Sequence, residues 1–146
     1  MLRRAVLILA TMSLGVLMLS GVALARDIAG TFGNDTLRGT LQKDRIYGLG
    51  GQDKIKGLTG NDDCYGGSGT DEIRCGNGND RIDGGFGEDE LYGGGGNDTI
   101  SAADGQEDQV NCGEGEDTAY VDGEDIVNED CENVFVADEV RVPTLP

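Results

Sequence analysis

Between residues 30 and 101 aspartate returns at a fixed interval of nine, as Asp35, Asp44, Asp53, Asp62, Asp71, Asp80, Asp89 and Asp98. A carboxylate is an oxygen donor for hard cations, and two carboxylates can also cleave glycosidic bonds. The 146-residue chain has no His, which removes both the commonest general base and the usual zinc ligand. It also lacks HExxH, G-x-S-x-G and Walker motifs. Its four cysteines are dispersed and have no imidazole to activate them, so thiol catalysis is excluded. The sequence therefore reads as a binding protein and not an enzyme, with oxygen ligands as its chemistry.

The elements that place these aspartates are themselves periodic. From Gly30 the chain divides into eight nonads: GTFGNDTLR, GTLQKDRIY, GLGGQDKIK, GLTGNDDCY, GGSGTDEIR, CGNGNDRID, GGFGEDELY and GGGGNDTIS. The sixth place is always Asp, and the fourth is Gly except at Gln42. The eighth place is apolar throughout: Leu37, Ile46, Ile55, Cys64, Ile73, Ile82, Leu91 and Ile100. Self-similarity at a fixed period marks a stacked repeat. The glycine-rich places one to six suit a tight turn, and places seven to nine suit a short strand with one residue facing inward. Two turns and two strands make a coil of eighteen residues, and adjacent coils stack about 4.8 Å apart. The predicted fold is all-β, a right-handed parallel β-roll (a β-helix or solenoid) with a C-terminal β cap.

An eighteen-residue coil stacks Asp35, Asp53, Asp71 and Asp89 on one edge, and Asp44, Asp62, Asp80 and Asp98 on the other. Carboxylates about 5 Å apart repel unless a cation lies between them. One file of apolar side chains is thin support for so many ordered residues, and cations between coils would supply the missing cohesion. Two carboxylates plus turn carbonyls make an all-oxygen, adaptable site that suits Ca²⁺ better than Mg²⁺, with its strict octahedron, or a soft metal. Gln42 makes the second turn a doubtful ligand set.

GGSGTDEIR, GGFGEDELY and GGGGNDTIS match G-G-x-G-x-D-x-U-x in full, and the array resembles the RTX (repeats-in-toxin) nonapeptide. CGNGNDRID, GLTGNDDCY, GLGGQDKIK and GTFGNDTLR each miss one early glycine, and GTLQKDRIY lacks two. The resemblance implies a parallel β-roll that binds Ca²⁺ between stacked turns and folds when Ca²⁺ is supplied. Carried over to this chain, the ligands are the eight aspartates above and Asp117, the sixth residue of the later repeat CGEGEDTAY. This family usually leaves the cell by a C-terminal signal and commonly accompanies a catalytic or toxin domain; this sequence departs from it in beginning with a leader-like stretch and in showing no such domain.

Residues 1–25 instead read as a secretory signal peptide. Arg3 and Arg4 precede an apolar stretch, and Ala23-Leu24-Ala25 predicts cleavage after Ala25. Ser13, Gly15, Ser20 and Gly21 interrupt that stretch, against a retained anchor. Residues 26–111 form the repeat array, and residues 112–146 the last repeat, cap and tail. Cleavage would leave 9 basic and 28 acidic residues, a balance of −19 that excludes nucleic acid as partner. The expected protein is secreted, has no membrane span after cleavage and takes calcium ions as its partner. The alternative is a cell-surface adhesion or matrix scaffold, with an unidentified cell-envelope or glycan partner, in which Ca²⁺ is purely structural. Ice binding fits poorly, since no threonine ladder is present. Tyr47, Tyr65 and Tyr92 point outward, without a continuous stacking platform expected. An even cysteine count in an exported chain predicts two disulfides. Of three connectivities, Cys64–Cys75 with Cys112–Cys131 fits the coil spacing best. The insertion in AADGQEDQVN offers Glu107 or Asp108 to its turn, whereas Asp122, Asp125 and Asp130 break the period and read as surface charge.

Overall fold

A computed structural model describes residues 26–137. The expected signal peptide and the last nine residues lie outside the described residues. Among the described residues there are thirteen strands and no helix, hence none long and apolar enough to cross a membrane. The strands are β1 (Asp27–Ala29), β2 (Thr36–Arg38), β3 (Arg45–Tyr47), β4 (Lys54–Thr59), β5 (Asp63–Ser68), β6 (Glu72–Asn77) and β7 (Arg81–Phe86). They continue as β8 (Glu90–Gly95), β9 (Thr99–Ser101), β10 (Gln109–Glu114), β11 (Thr118–Val121), β12 (Ile126–Val127) and β13 (Asn133–Val136). Odd-numbered strands form a seven-stranded sheet and even-numbered strands a six-stranded one, each in sequence order. Every pairing is parallel, so the chain winds as a β-roll, in agreement with the periodicity.

The register confirms a coil of eighteen: Asp27 pairs with Arg45, Thr36 with Lys54 and Lys54 with Glu72. The inserted residue in the AADGQEDQVN turn lengthens one coil, so that Gln109 pairs with Glu90. The ladder itself resumes unchanged, because the extra residue is absorbed in the turn after β9. Eighth-place side chains from Ile46 to Ile100 are fully buried in one file, continued by Val110 and Ala119. Leu37 and Ile28 are only partly buried because no described coil covers them.

The strands are longer than expected. Four central ones span six residues and run through places seven to nine into the first three places of the next nonad. The glycines thus belong partly to strands, and the turn is confined to places four to six. Second-place glycines make this possible at positive φ, as at Gly67 (φ 111°) and Gly85 (φ 101°), which pair across coils. Four nonads lack this glycine; in two of them Leu49 (φ 81°) and Leu58 (φ 93°) occupy its place at positive φ and bear a conformation costly for a side chain.

Both expected disulfides are present, Cys64–Cys75 with Cα atoms 6.5 Å apart and Cys112–Cys131 at 5.1 Å. The first joins the two sheets through the core, and the second ties β10 to the segment leading into β13. Tyr47 and Tyr65 stack with ring centroids 5.0 Å apart, while Arg74 lies over Tyr92, so the aromatics form no single platform.

The turn geometry separates two fourth-place glycines. A side chain at Gly69 (φ 122°) would collide with the Gly51 carbonyl of the coil beside it, whereas one at Gly33 would meet only Thr31 Oγ1, at 3.7 Å. Gly69→Ala should destabilise the ion-loaded fold by about 2–4 kcal/mol and Gly33→Ala by under about 0.5 kcal/mol, as read by urea unfolding in excess Ca²⁺.

Candidate metal centre

Each sixth-place aspartate closes a turn where a strand begins, and its side chain turns inward. Asp44, Asp53, Asp62, Asp71, Asp80, Asp89, Asp98 and Asp117 are all buried; Asp35, in the first coil, is half-buried. Their main chains and carboxylates form two ladders. On one edge the N–H of Asp35 donates to Asp53 Oδ1 (2.8 Å), Asp53 to Asp71 (2.8 Å) and Asp71 to Asp89 (2.7 Å). On the other, Asp44 donates to Asp62 (2.8 Å), Asp62 to Asp80 (2.7 Å), Asp80 to Asp98 (2.8 Å) and Asp98 to Asp117 (2.7 Å). One oxygen of each carboxylate is thereby fixed by the coil before it.

The second oxygen is orphaned. Oδ2 of Asp53, Asp62, Asp71, Asp80, Asp89, Asp98, Asp108 and Asp117 is buried and has no hydrogen-bond partner among the described residues. A buried anionic oxygen in that condition is strongly unfavourable unless a proton or cation meets it. Burial drives the carboxyls up from their ordinary value of 3.8: Asp80 and Asp89 to about 6, Asp98 and Asp108 to about 7. In each, desolvation is the largest cause, the ladder N–H opposes it, and the neighbouring aspartate adds repulsion.

The orphaned oxygens face a cradle that only glycine can line. A Cβ added at first-place Gly66 would lie 2.5 Å from Asp71 Oδ2 and against the Gly84 carbonyl of the next coil. At Gly57 it would lie 2.5 Å from Asp62 Oδ2 and against the Cys75 carbonyl. Carboxylate and carbonyl oxygens from successive coils therefore converge inside each turn. Among the described residues no three acidic side chains cluster, so any ion there takes carbonyl as well as carboxylate ligands. This all-oxygen donor set fits Ca²⁺.

The first two turns differ. Thr31 donates its N–H (2.6 Å) and Oγ1 (2.9 Å) to Asp35 Oδ2, and Thr40 does the same for Asp44 (2.5 and 2.9 Å). The second-place threonine supplies hydrogens where the other turns leave an oxygen bare. Thr31 and Thr40 were legible in the sequence, but their effect depends on a side-chain rotamer that no periodicity reveals.

The irregular turn uses Asp108, which accepts from Asp89 N–H at 2.7 Å, while Glu107 is exposed. The reading of Asp122, Asp125 and Asp130 as surface charge is corrected. Asp125 accepts from the N–H of Asp108 (3.0 Å) and Asp122 (2.8 Å). Asp122 accepts from Gly105 (2.6 Å) and Asp130 from Cys112 (3.2 Å). Glu132 ends the second ladder by accepting from Asp117 N–H at 2.9 Å. The available signal was an acid two residues before an apolar one, as in Asp125-Ile126-Val127 and Glu132-Asn133-Val134, freed of the glycine run. A third ladder also escaped notice: fifth-place Asn34, Asn61 and Asn79 accept N–H bonds from Gln52, Asn79 and Asn97, at 2.9, 3.0 and 3.0 Å.

The model of the RTX calcium-binding nonapeptide repeat, in four copies, matches residues 27–55, 38–73 and 74–106, more than half of the chain. No curated protein and no solved structure matches it. Repeat match, parallel roll and stacked aspartates agree, and the chain belongs to the RTX calcium-binding nonapeptide repeat family.

Proposed function

We propose that this chain is an exported calcium-binding roll whose folding is driven by the ions it takes up between successive coils. The observation that carries the reading is the unbroken row of orphaned buried Oδ2 atoms from Asp53 to Asp117. Asp53, Asp71, Asp89 and Asp108 hold ions on one edge, and Asp62, Asp80, Asp98 and Asp117 on the other. The first-place carbonyls of the adjoining coils complete each shell. The ion contributes positive charge where the fold has stacked negative charge, and thereby joins one coil to the next. Asp35 and Asp44, answered by Thr31 and Thr40, contribute little to ion binding.

Export accords with this chemistry. Extracellular calcium modules work at Kd values of about 10⁻⁴–10⁻³ M. A chain with such sites stays unfolded where Ca²⁺ is scarce and folds where it is abundant. The leader read in residues 1–25 supplies the route, and the two disulfides suit an oxidising destination.

Circular dichroism tests the coupling. The processed protein should gain β signal as Ca²⁺ rises from chelated to millimolar; identical spectra in both conditions would contradict the proposal. Asp71→Asn should raise the Ca²⁺ midpoint roughly tenfold, a loss of about 1.4 kcal/mol, while Asp35→Asn leaves it within about twofold.

The pH response should change sign with the ion. Without Ca²⁺, Asp80, Asp89, Asp98 and Asp108 keep protons in the fold up to about pH 6 to 7 but release them near pH 4 when unfolded. Stability of the ion-free roll is therefore greatest in mild acid and is lost as pH rises through 6 and 7. With excess Ca²⁺, protons compete with the ion, and stability rises over the same window. With chelator, β signal by circular dichroism should be stronger at pH 4.5 than at pH 7.5, whereas with excess Ca²⁺ the melting temperature should be higher at pH 7.5 than at pH 4.5.

A further inference from the structure

The two ends of the roll differ in charge but match in strand geometry. Residues 26–81 carry eight Lys or Arg and nine Asp or Glu, whereas residues 82–137 carry seventeen Asp or Glu and no Lys or Arg. Among the described residues, β1 and β2 at the first end pair on one side only, with β3 and β4. At the last end β12 and β13 pair, among the described residues, only with β10 and β11. The apolar file runs out to both: Ile28 and Leu37 are partly buried at one end, Val127 partly buried and Val134 41% exposed at the other. Open parallel edges with an uncovered apolar file are templates for further strands.

We propose that a second copy of this chain continues the roll, its β1 and β2 docking on β12 and β13 of the first. The strand count fixes the arrangement. Thirteen strands alternate between two sheets, so the strand after β13 belongs beside β12. A copy rotated half a turn about the roll axis places β1 on β12 and β2 on β13, in the parallel sense used throughout. In the register of the existing pairs, Ile28 then follows Val127, and Leu37 follows Val134.

Three further features support this occupant. Arg38 falls over Phe135, which is 55% exposed and stacked on Tyr120 with centroids 5.3 Å apart. Inside the roll the equivalent neighbours Arg74 and Tyr92 already form such a pair, with the guanidinium 4.1 Å from the ring centroid. The aspartate ladder also has matching loose ends. Among the described residues nothing donates to Asp35 Oδ1 and nothing accepts the Glu132 N–H, and docking brings these two together. Finally, the first coil carries Arg26 and Arg38 and the last carries Glu124 and Glu129, a complementarity that sets direction. The contact is heterologous and does not close on itself, so copies add head to tail. Docking requires removal of residues 1–25, as proposed above.

Sedimentation velocity of the processed protein in millimolar Ca²⁺ tests it, with circular dichroism confirming the fold of each variant. The wild type should give elongated species that grow with concentration. Arg38→Glu and Phe135→Glu should each weaken association at least about tenfold with unchanged spectra. An equal mixture of the two variants should form pairs and nothing larger, because each retains one intact end. Folded wild type that stays monomeric at every concentration, or association untouched by both variants, would overturn the proposal. So would association seen only after deletion of residues 138–146, which would assign the last edge to the chain's own tail.

Discussion

Every half-coil in the middle of this roll takes a carboxylate out of water, hydrogen-bonds one of its oxygens and leaves the other bare. The rest of the architecture follows from that constraint. The bonded oxygen reaches the N–H of the aspartate one coil earlier, which locks the eighteen-residue register into the sequence. The bare oxygen and the next coil's carbonyl crowd the first place of the repeat, where Gly66 and Gly57 leave the room that a Cβ would fill. Glycine is thus required less for flexibility than for close approach of oxygen atoms to backbone. What results is a stack in which each central turn sets a bare carboxylate oxygen against the backbone of the next coil.

The demand is not uniform along the axis. In the first two turns Thr31 and Thr40 answer the carboxylates with their own hydrogens. From Asp53 to Asp117 no such answer is found among the described residues. Beyond it the ladders finish on Asp125 and Glu132, and the Cys112–Cys131 bridge anchors the segment that carries them. The molecule therefore runs from a self-satisfied start, through a middle of unpartnered carboxylate oxygens, to an acidic end fastened by covalent and backbone bonds. An apolar file one residue wide from Ile46 to Ala119 keeps the two sheets in contact but cannot by itself offset the stacked charge.

Much of this was legible in the sequence because the repeat spells its own geometry. Asp in the sixth place and an aliphatic residue in the eighth gave the coil length, the inward file and the membership of each ladder. The same coil spacing selected Cys64–Cys75 and Cys112–Cys131 from three pairings, as found. What escaped depended on atoms rather than period. Strand extension through the second-place glycines rests on positive φ. The threonine answer to Asp35 and Asp44 rests on rotamers. Asp125 and Glu132 joined the ladders without the glycine run that marks the other turns, since the last coil is shortened and pairs Thr118 with Asn133. Reading charge by its distance from a motif, rather than by which N–H it can reach, misplaced Asp125 and passed over Glu132.

The number of calcium ions bound per chain tests this account most directly. The orphaned oxygens form two columns of four, Asp53 to Asp108 and Asp62 to Asp117, with three gaps in each. Calorimetric titration of the ion-free protein at neutral pH should therefore report about six ions, taken up together with the heat of folding. A protein already folded at neutral pH that binds none, or a single ion at one end, would show that the buried carboxylates are balanced by some other means.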